Sequence, residues 1–182
     1  MRHGVARGGP YGRLFPRLAR APALSPTALD ALCAHIVEQA AGDNLDVPAG
    51  FTYLAQFVDH DLSFDPTPPG RRAAHAVNLR TPRLDLDSLY GNGPGDPVSA
   101  KFYAADGLHL KTGTTVAVPP DGPKAGHDLP RVGTGPNKAA KRKALIPDPR
   151  NDENLAVAQT HCAMIRFHNR VVDTQLGGVP QS

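Results

Sequence analysis

Three groups of residues in this chain have the types and spacing to do chemistry. The first is Gln56-x-x-Asp59-His60-Asp61. Asp and His are mediocre helix formers, so crowding them beside an apolar helical side costs stability unless something uses them. The bland alternative is a helix end, where the dipole favours an exposed His. The second group runs from Thr81 through Arg83, Asp85 and Asp87 to Gly91, with oxygen donors on alternate residues. Thr81, the Arg83 carbonyl, Asp85 and Asp87 could converge on a hard cation, which takes about six to eight oxygens; alternating Asp also serves simply to keep a loop soluble. The third is Asp148-Pro-Arg150-Asn-Asp152-Glu153, leading into a segment with His161, Arg166, His168, Asn169 and Arg170. A guanidinium at the rigid start of a helix suits an oxyanion, because it stays charged and presents a fork of donors. Its alternative is a surface cap with Arg150 in solvent.

Helices must position these groups. Ser25-Pro26-Thr27 reads as a cap followed by Pro at the first helical position. Leu29, Leu32, Cys33, Ile36 and Val37 then repeat as one helical stripe that ends at Gly42, with His35 a surface histidine. A second helix is predicted over about 51–60, with Phe51, Leu54, Ala55 and Val58 on one side. Gln56, Asp59 and His60 stack on another at i, i+3 and i+4. Residues 65–150 carry Pro and Gly every few positions, a long stretch without helical period. The third helix starts after Pro149 and reaches Leu176 before Gly177-Gly178. Its buried seam is Leu155, Ala158, Cys162, Ile165, Asn169 and Val172. The predicted fold is mainly α, with about three main helices joined by long irregular loops and almost no strand. Residues 1–24, rich in Gly, Arg and Pro, read as an arm preceding a unit over 25–182.

Composition excludes several classes. Gly 18 and Pro 19 in 182 residues make much of the chain loop, so its core is small for its mass. No apolar run approaches the roughly 18 residues of a membrane span, and the glycines lack the three-residue period of collagen. A net charge of +3 is too small and dispersed to announce a nucleic-acid partner. The one basic cluster, Lys138 to Lys143, reads as a solvated loop. Cys33 and Cys162 are too few for a disulfide scaffold and are expected to pack as small hydrophobes. No secretory signal is visible, so a cytoplasmic location is the default expectation.

Taken together and in this order, the three groups resemble the animal-type haem peroxidase superfamily, in particular its bacterial members. The runs that carry the resemblance are Phe51 to Thr67, Arg80 to Gly91, and Leu145 through Arg150 to Val172. The resemblance implies that His60 is the distal general base, passing a proton between the two oxygens of peroxide. It implies that Arg150 stabilises the charge that develops as the O–O bond breaks. Gln56 would hydrogen-bond water or a small anion above the iron. Asp59 and Glu153 match carboxylates that form ester links to haem b in many relatives. Asp61, Thr81, Arg83 (through its carbonyl), Asp85 and Asp87 match a calcium site. The implied reaction is reduction of hydrogen peroxide with oxidation of a small organic or halide donor, the iron carrying the oxidation chemistry.

Two departures qualify the match. Pro147 replaces the family's usual Gly before the Asp-x-Arg run, and Asn154 stands where some relatives have a Met that bonds haem. The family domain also extends far beyond the equivalent of Arg150, and its proximal histidine lies in that later part. Residues 25–182 are therefore expected to form the distal half of such a domain, with impaired activity by itself and a second chain supplying the proximal half. Two rival readings remain. One is a non-catalytic remnant that binds calcium or a partner. The other is an HD-type metal-dependent phosphohydrolase, with His60-Asp61 flanked by His35 and Asp173 as metal ligands.

Overall fold

The structure, a computed structural model, describes residues 11, 24–36, 46–67, 76–81, 83–115 and 126–175. Most of the 1–24 arm, the Val37 and Gly42 end of the first helix, and Leu176 to Gly178 lie outside these residues. Among the described residues the fold is mainly α. The three long helices are α1 (Pro26–Ile36), α2 (Gly50–Leu62) and α5 (Leu155–Gln175). The helices α3 (Asp87–Tyr90) and α4 (Lys138–Arg142) are short, and 3₁₀ turns lie at Ala100–Phe102 and Pro149–Asp152. Strand is confined to the antiparallel pair β1 (Gly113–Thr114) and β2 (His127–Asp128), with Gly113 opposite Asp128.

Helix α5 is the spine of the core. Val157, Ala158, His161, Cys162, Ile165 and Val172 are buried along it, a spacing of three, four and seven that makes one stripe. Asn154 Oδ1 accepts from the Val157 N–H at 2.9 Å, satisfying one of the donors a helix start leaves free. The stripe packs on Phe57 of α2, on Leu89 of α3, and on Phe102, Tyr103, Leu110, Leu129, Ala144 and Ile146. Full burial of a side chain such as Phe57 contributes about 1.5–3 kcal/mol, so this one cluster carries much of the fold.

The irregular chain is held by side-chain amides in place of ladders. Asn78 Oδ1 accepts from Phe64 N and Arg80 N, while its Nδ2 donates to the Leu62 carbonyl. Asn169 on α5 grips the backbone of Leu110 through both its amide atoms, at 2.8 and 2.9 Å. At the end of α3, Gly91 has φ 58°, and a Cβ there would lie 2.5 Å from Ser99 Oγ, so only glycine fits.

Four expectations need correction, the first in the α5 seam, where Leu155 is 79% exposed and Asn169 only half-buried. Helix α1 forms, but all its residues are exposed, including Leu29, Leu32 and Cys33, so its stripe meets no core. Only Cys162 packs as a hydrophobe. Residues 138–142 form a short helix because Asn137 Oδ1 accepts from the Ala140 N–H; its cations are exposed, as expected of a solvated segment. In α2 the polar face is split, with His60 buried and Asp59 exposed, and neither predicted side is buried as a unit. Phe57, His60 and Asp61 are buried, whereas Phe51 and Leu54 are 58% and 40% exposed.

Candidate functional site

The 3₁₀ turn Pro149–Asp152 sets the site. Pro149 fixes the turn's first φ, and Asp148 caps it by accepting from the Arg150 N–H at 3.0 Å. With three residues per turn, Asp148 and Asn151 eclipse, as do Arg150 and Glu153. Asp148 and Asn151 are accordingly both buried, at 1% and 0% exposure. Arg131 steadies the turn from outside, with Nη1 on Asp152 Oδ2 at 2.6 Å and both Nε and Nη2 on the Asp128 carboxylate of β2.

Against this turn lies the buried side of α2. His60 Nδ1 is 2.8 Å from Asn151 Oδ1. A carboxamide oxygen only accepts, so Nδ1 carries the proton and the Nε2 lone pair is free to act as a base. Nε2 lies 3.7 Å from Glu153 Oε1. Gln56 Nε2 donates to the same Glu153 oxygen, and Asn154 Nδ2 donates to Gln56 Oε1 at 3.2 Å. A free basic nitrogen, a carboxylate and a carboxamide thus converge from segments more than 90 residues apart. Asp59 is separate: it is exposed, and its carboxylate accepts from Ser63 Oγ at 3.2 Å.

Arg150 comes to His60 by its main chain. Nη2 donates to the His60 carbonyl at 2.8 Å and to Asp148 Oδ2 at 2.7 Å, while Nε donates to Asp148 Oδ1. Arg80 Nη2 binds the same Asp148 oxygen at 2.5 Å, and both guanidiniums lie over the Phe64 ring, at 4.8 Å for Arg150 and 5.8 Å for Arg80. Burial alone would raise the Asp148 carboxyl, but its bonds to Arg150 and Arg80 bring it below the usual carboxylate range. The guanidinium of Arg150 is therefore a brace for the α2 backbone in this structure, and Asp148 is its counter-ion.

A second cluster abuts the first through the next residue of α2. Asp61 is fully buried, accepting from Leu86 N at 2.8 Å and Ser88 N at 3.1 Å, and so caps α3. Leu86 takes a left-handed φ of 59° to present its N–H, a conformation that costs a non-glycine residue roughly 1–2 kcal/mol. Carboxylate oxygens of Asp61, Asp85 and Asp87 all lie within 4.8 Å of one another. Thr81 Oγ1 donates to Asp85, and the Arg83 carbonyl accepts from the Asp85 N–H at 2.9 Å, so Thr81 and Arg83 join through Asp85. Arg80 Nη1 offsets part of the charge on Asp87 at 2.8 Å. Burial still pushes the Asp87 carboxyl above its ordinary range despite Arg80. Three convergent carboxylates suit a hard cation, with the Thr81 hydroxyl and the Arg83 carbonyl bonded to Asp85.

For haem, the donors on this face fit a distal side: a free imidazole nitrogen with an amide and two carboxylates at or near the surface. An axial ligand is not among them. Of the other described histidines, His161 is wholly buried against Phe57, His168 is bonded to Tyr90 and the Leu108 carbonyl, His109 is held between Asp106 and Asp173, and His35 and His127 are exposed on α1 and β2. The HD-type set does not assemble among the described residues, where Asp173 bonds His109 and the one three-member cluster of metal-ligating groups is Asp61, Asp85 and Asp87. Nor is any described helix long and apolar enough to cross a membrane.

Asn151, Asn154, Arg80 and Asp148 organise the site without having been singled out as functional residues. Their signal lay in the eclipsed spacing of the Asp148–Glu153 turn and in Arg80 being the only basic residue directly before the Thr81–Asp87 run. Comparison with protein-family models, curated proteins and solved structures finds no match. The chemistry of the site therefore has to be argued from its own residues.

Proposed function

We propose that the Gln56–His60–Glu153 cluster, with Arg150 behind it, is the distal side of a haem-dependent peroxidase, an oxidoreductase that takes peroxide as electron acceptor. The observation that carries this reading is the hydrogen bond from His60 Nδ1 to buried Asn151, which leaves Nε2 as a fixed base toward Glu153 and Gln56. His60 would take a proton from hydrogen peroxide at Nε2 and return it to the departing oxygen. Gln56 and Asn154 would orient the small molecule bound there. Arg150, through the His60 carbonyl, would hold the α2 turn in place. Haem b would supply the oxidation chemistry, and Asp59 and Glu153 are the carboxylates suited to hold or esterify it. The axial ligand would come from outside this cluster. Calcium would tie α2 to α3 through Asp61, Asp85, Asp87, Thr81 and the Arg83 carbonyl.

The test is a haemin titration of the purified chain, with and without millimolar imidazole as a substitute axial ligand. Without it, weak binding and negligible turnover are expected. With it, a shifted Soret band and peroxide-dependent dye oxidation should appear, and His60→Leu should remove most of the oxidation while sparing the shift. Equal oxidation by wild type and His60→Leu would overturn the proposal.

A non-catalytic role in binding calcium or a partner is favoured by one observation. Phe51 of α2 and Leu155 and Phe167 of α5 are 58%, 79% and 69% exposed, and large exposed apolar side chains mark surfaces that another polypeptide covers. This reading predicts calcium or partner binding with no peroxide-dependent oxidation under any haem condition.

A further inference from the structure

Apart from the His60 cluster, a cleft of about 440 Å³ opens between the 87–102 segment and the 143–149 segment. That volume lies in the range of about 300–1,000 Å³ typical of small-molecule sites, at its small end. Val98 and Val132, 67% and 38% exposed, give it apolar surface, together with the edges of the largely buried Phe102 and Ile146. Three cations line it: Arg80, Lys101 and Lys143. Arg80 is balanced by Asp87 and Asp148, and Asp87 is the only carboxylate in the lining among the described residues. Lys101 and Lys143 form no ion pair among the described residues. The Lys101 ammonium instead sits 5.1 Å from the centre of the Phe102 ring. Two unbalanced ammonium groups at a concave, partly apolar wall focus a positive field where an anion would sit.

We propose that this cleft binds a small carboxylate with a flat apolar body of one or two rings. The ring lies against Phe102 and Ile146, and the carboxylate faces Lys101 and Lys143. A purely inorganic anion would leave the apolar wall unused, and a neutral arene would leave both ammonium groups uncompensated. The cleft and the His60 cluster share no lining side chain with a chemical role except through Arg80, so the proposal stands whether or not the chain binds haem.

Naphthoate titrated into the ¹⁵N-labelled full chain at low salt tests it. Saturable shifts are expected at the amides of Lys101, Phe102 and Ala144 to Ile146, with the rest of the spectrum unmoved. Exposed ion pairs are each worth a few tenths to about 1 kcal/mol, so the Lys101→Gln, Lys143→Gln double variant should bind about fivefold more weakly. Both lysines are exposed, and an unchanged spectrum away from the cleft shows that the double variant is folded. Methyl naphthoate, which keeps the rings and loses the charge, should weaken to a similar degree. Shifts that do not saturate, shifts located elsewhere, equal binding of the ester, or an unaffected double variant would each overturn the proposal.

Discussion

At the scale of single residues, the site turns on how one imidazole carries its proton. With Asn151 Oδ1 accepting at 2.8 Å, His60 is held as the Nδ1–H tautomer. Asn151→Ala should release it into a mixture of both tautomers, read directly from the ring ¹⁵N shifts, and should cost about 1–3 kcal/mol as a buried bond is lost. A ring that stays purely Nδ1–H in the variant would refute the assignment. His161 is the opposite case: fully buried, with neither nitrogen bonded, its pKa is pushed down by burial to about 4. The unfolded chain takes up this proton near pH 6.5 while the folded chain refuses it until about pH 4. Stability from this residue is therefore whole above the unfolded value and falls with acid, by on the order of 3 kcal/mol over that interval. His161→Leu should flatten that fall in urea unfolding at about pH 7 and 4.5; an unchanged difference between the two would show that other groups cause it. Sequence alone marked His60, Arg150 and Glu153 because charged and titratable types stand out in a motif. Asn151 stayed hidden because an amide in a Pro-flanked turn is unremarkable until the turn's period places it beside Asp148 on the buried side.

Whole elements were legible where burial follows apolarity. Four members of the α5 seam read from three- and four-residue spacing, Ala158, Cys162, Ile165 and Val172, are buried because they have no competing use, whereas Leu155 at its start is exposed and Asn169 is half-buried. Helix α2 was legible in extent but not in which of its residues are buried. His60 and Asp61 turn inward because distant partners satisfy them, Asn151 for His60 and the Leu86 and Ser88 amides for Asp61, and no local periodicity encodes a partner some 25 or 91 residues away. The same applies to the far end of α5. His109 bridges Asp106 at 2.5 Å and Asp173 at 3.0 Å, and these bonds raise its pKa above the ordinary value, that to Asp106 foremost. A raised histidine pKa stabilises fully below the unfolded value and ceases to do so as pH climbs through the folded one. Hydrogen exchange, corrected for its intrinsic pH dependence, should show residues 169–175 losing protection as the pH rises above the ordinary histidine value, while 157–165 keep theirs. His109→Gln should abolish the difference, and protection that does not vary with pH in wild type would exclude the bridge as its cause.

For the molecule as a whole, the acidic cluster is the place where solution conditions should act most strongly. Three carboxylates within 4.8 Å repel one another, and a cation that binds only the folded chain stabilises it in proportion to the logarithm of its concentration. Millimolar calcium should therefore raise the midpoint of thermal unfolding by several degrees, roughly what about 1–2 kcal/mol does to a domain of this size. Magnesium, which demands tighter octahedral geometry, should do less. Asp85→Asn, at an exposed position, should remove the calcium effect; an equal rise in that variant would place the ion elsewhere.

Asp148 has a consequence for the order in which the chain takes shape. Its carboxylate has no solvent to fall back on, and its two guanidinium partners come from positions 2 and 68 residues away, one of them reaching on to the His60 carbonyl. Closing the longer of these loops costs entropy before any contact repays it, so Arg80 is expected to reach Asp148 only after the α5 seam has collapsed. Replacing Asp148 with Asn should then speed unfolding and leave the folding rate almost untouched, a φ-value near zero. The face that carries His60 and Arg150 would be the last part of the protein to exist and the first to be lost.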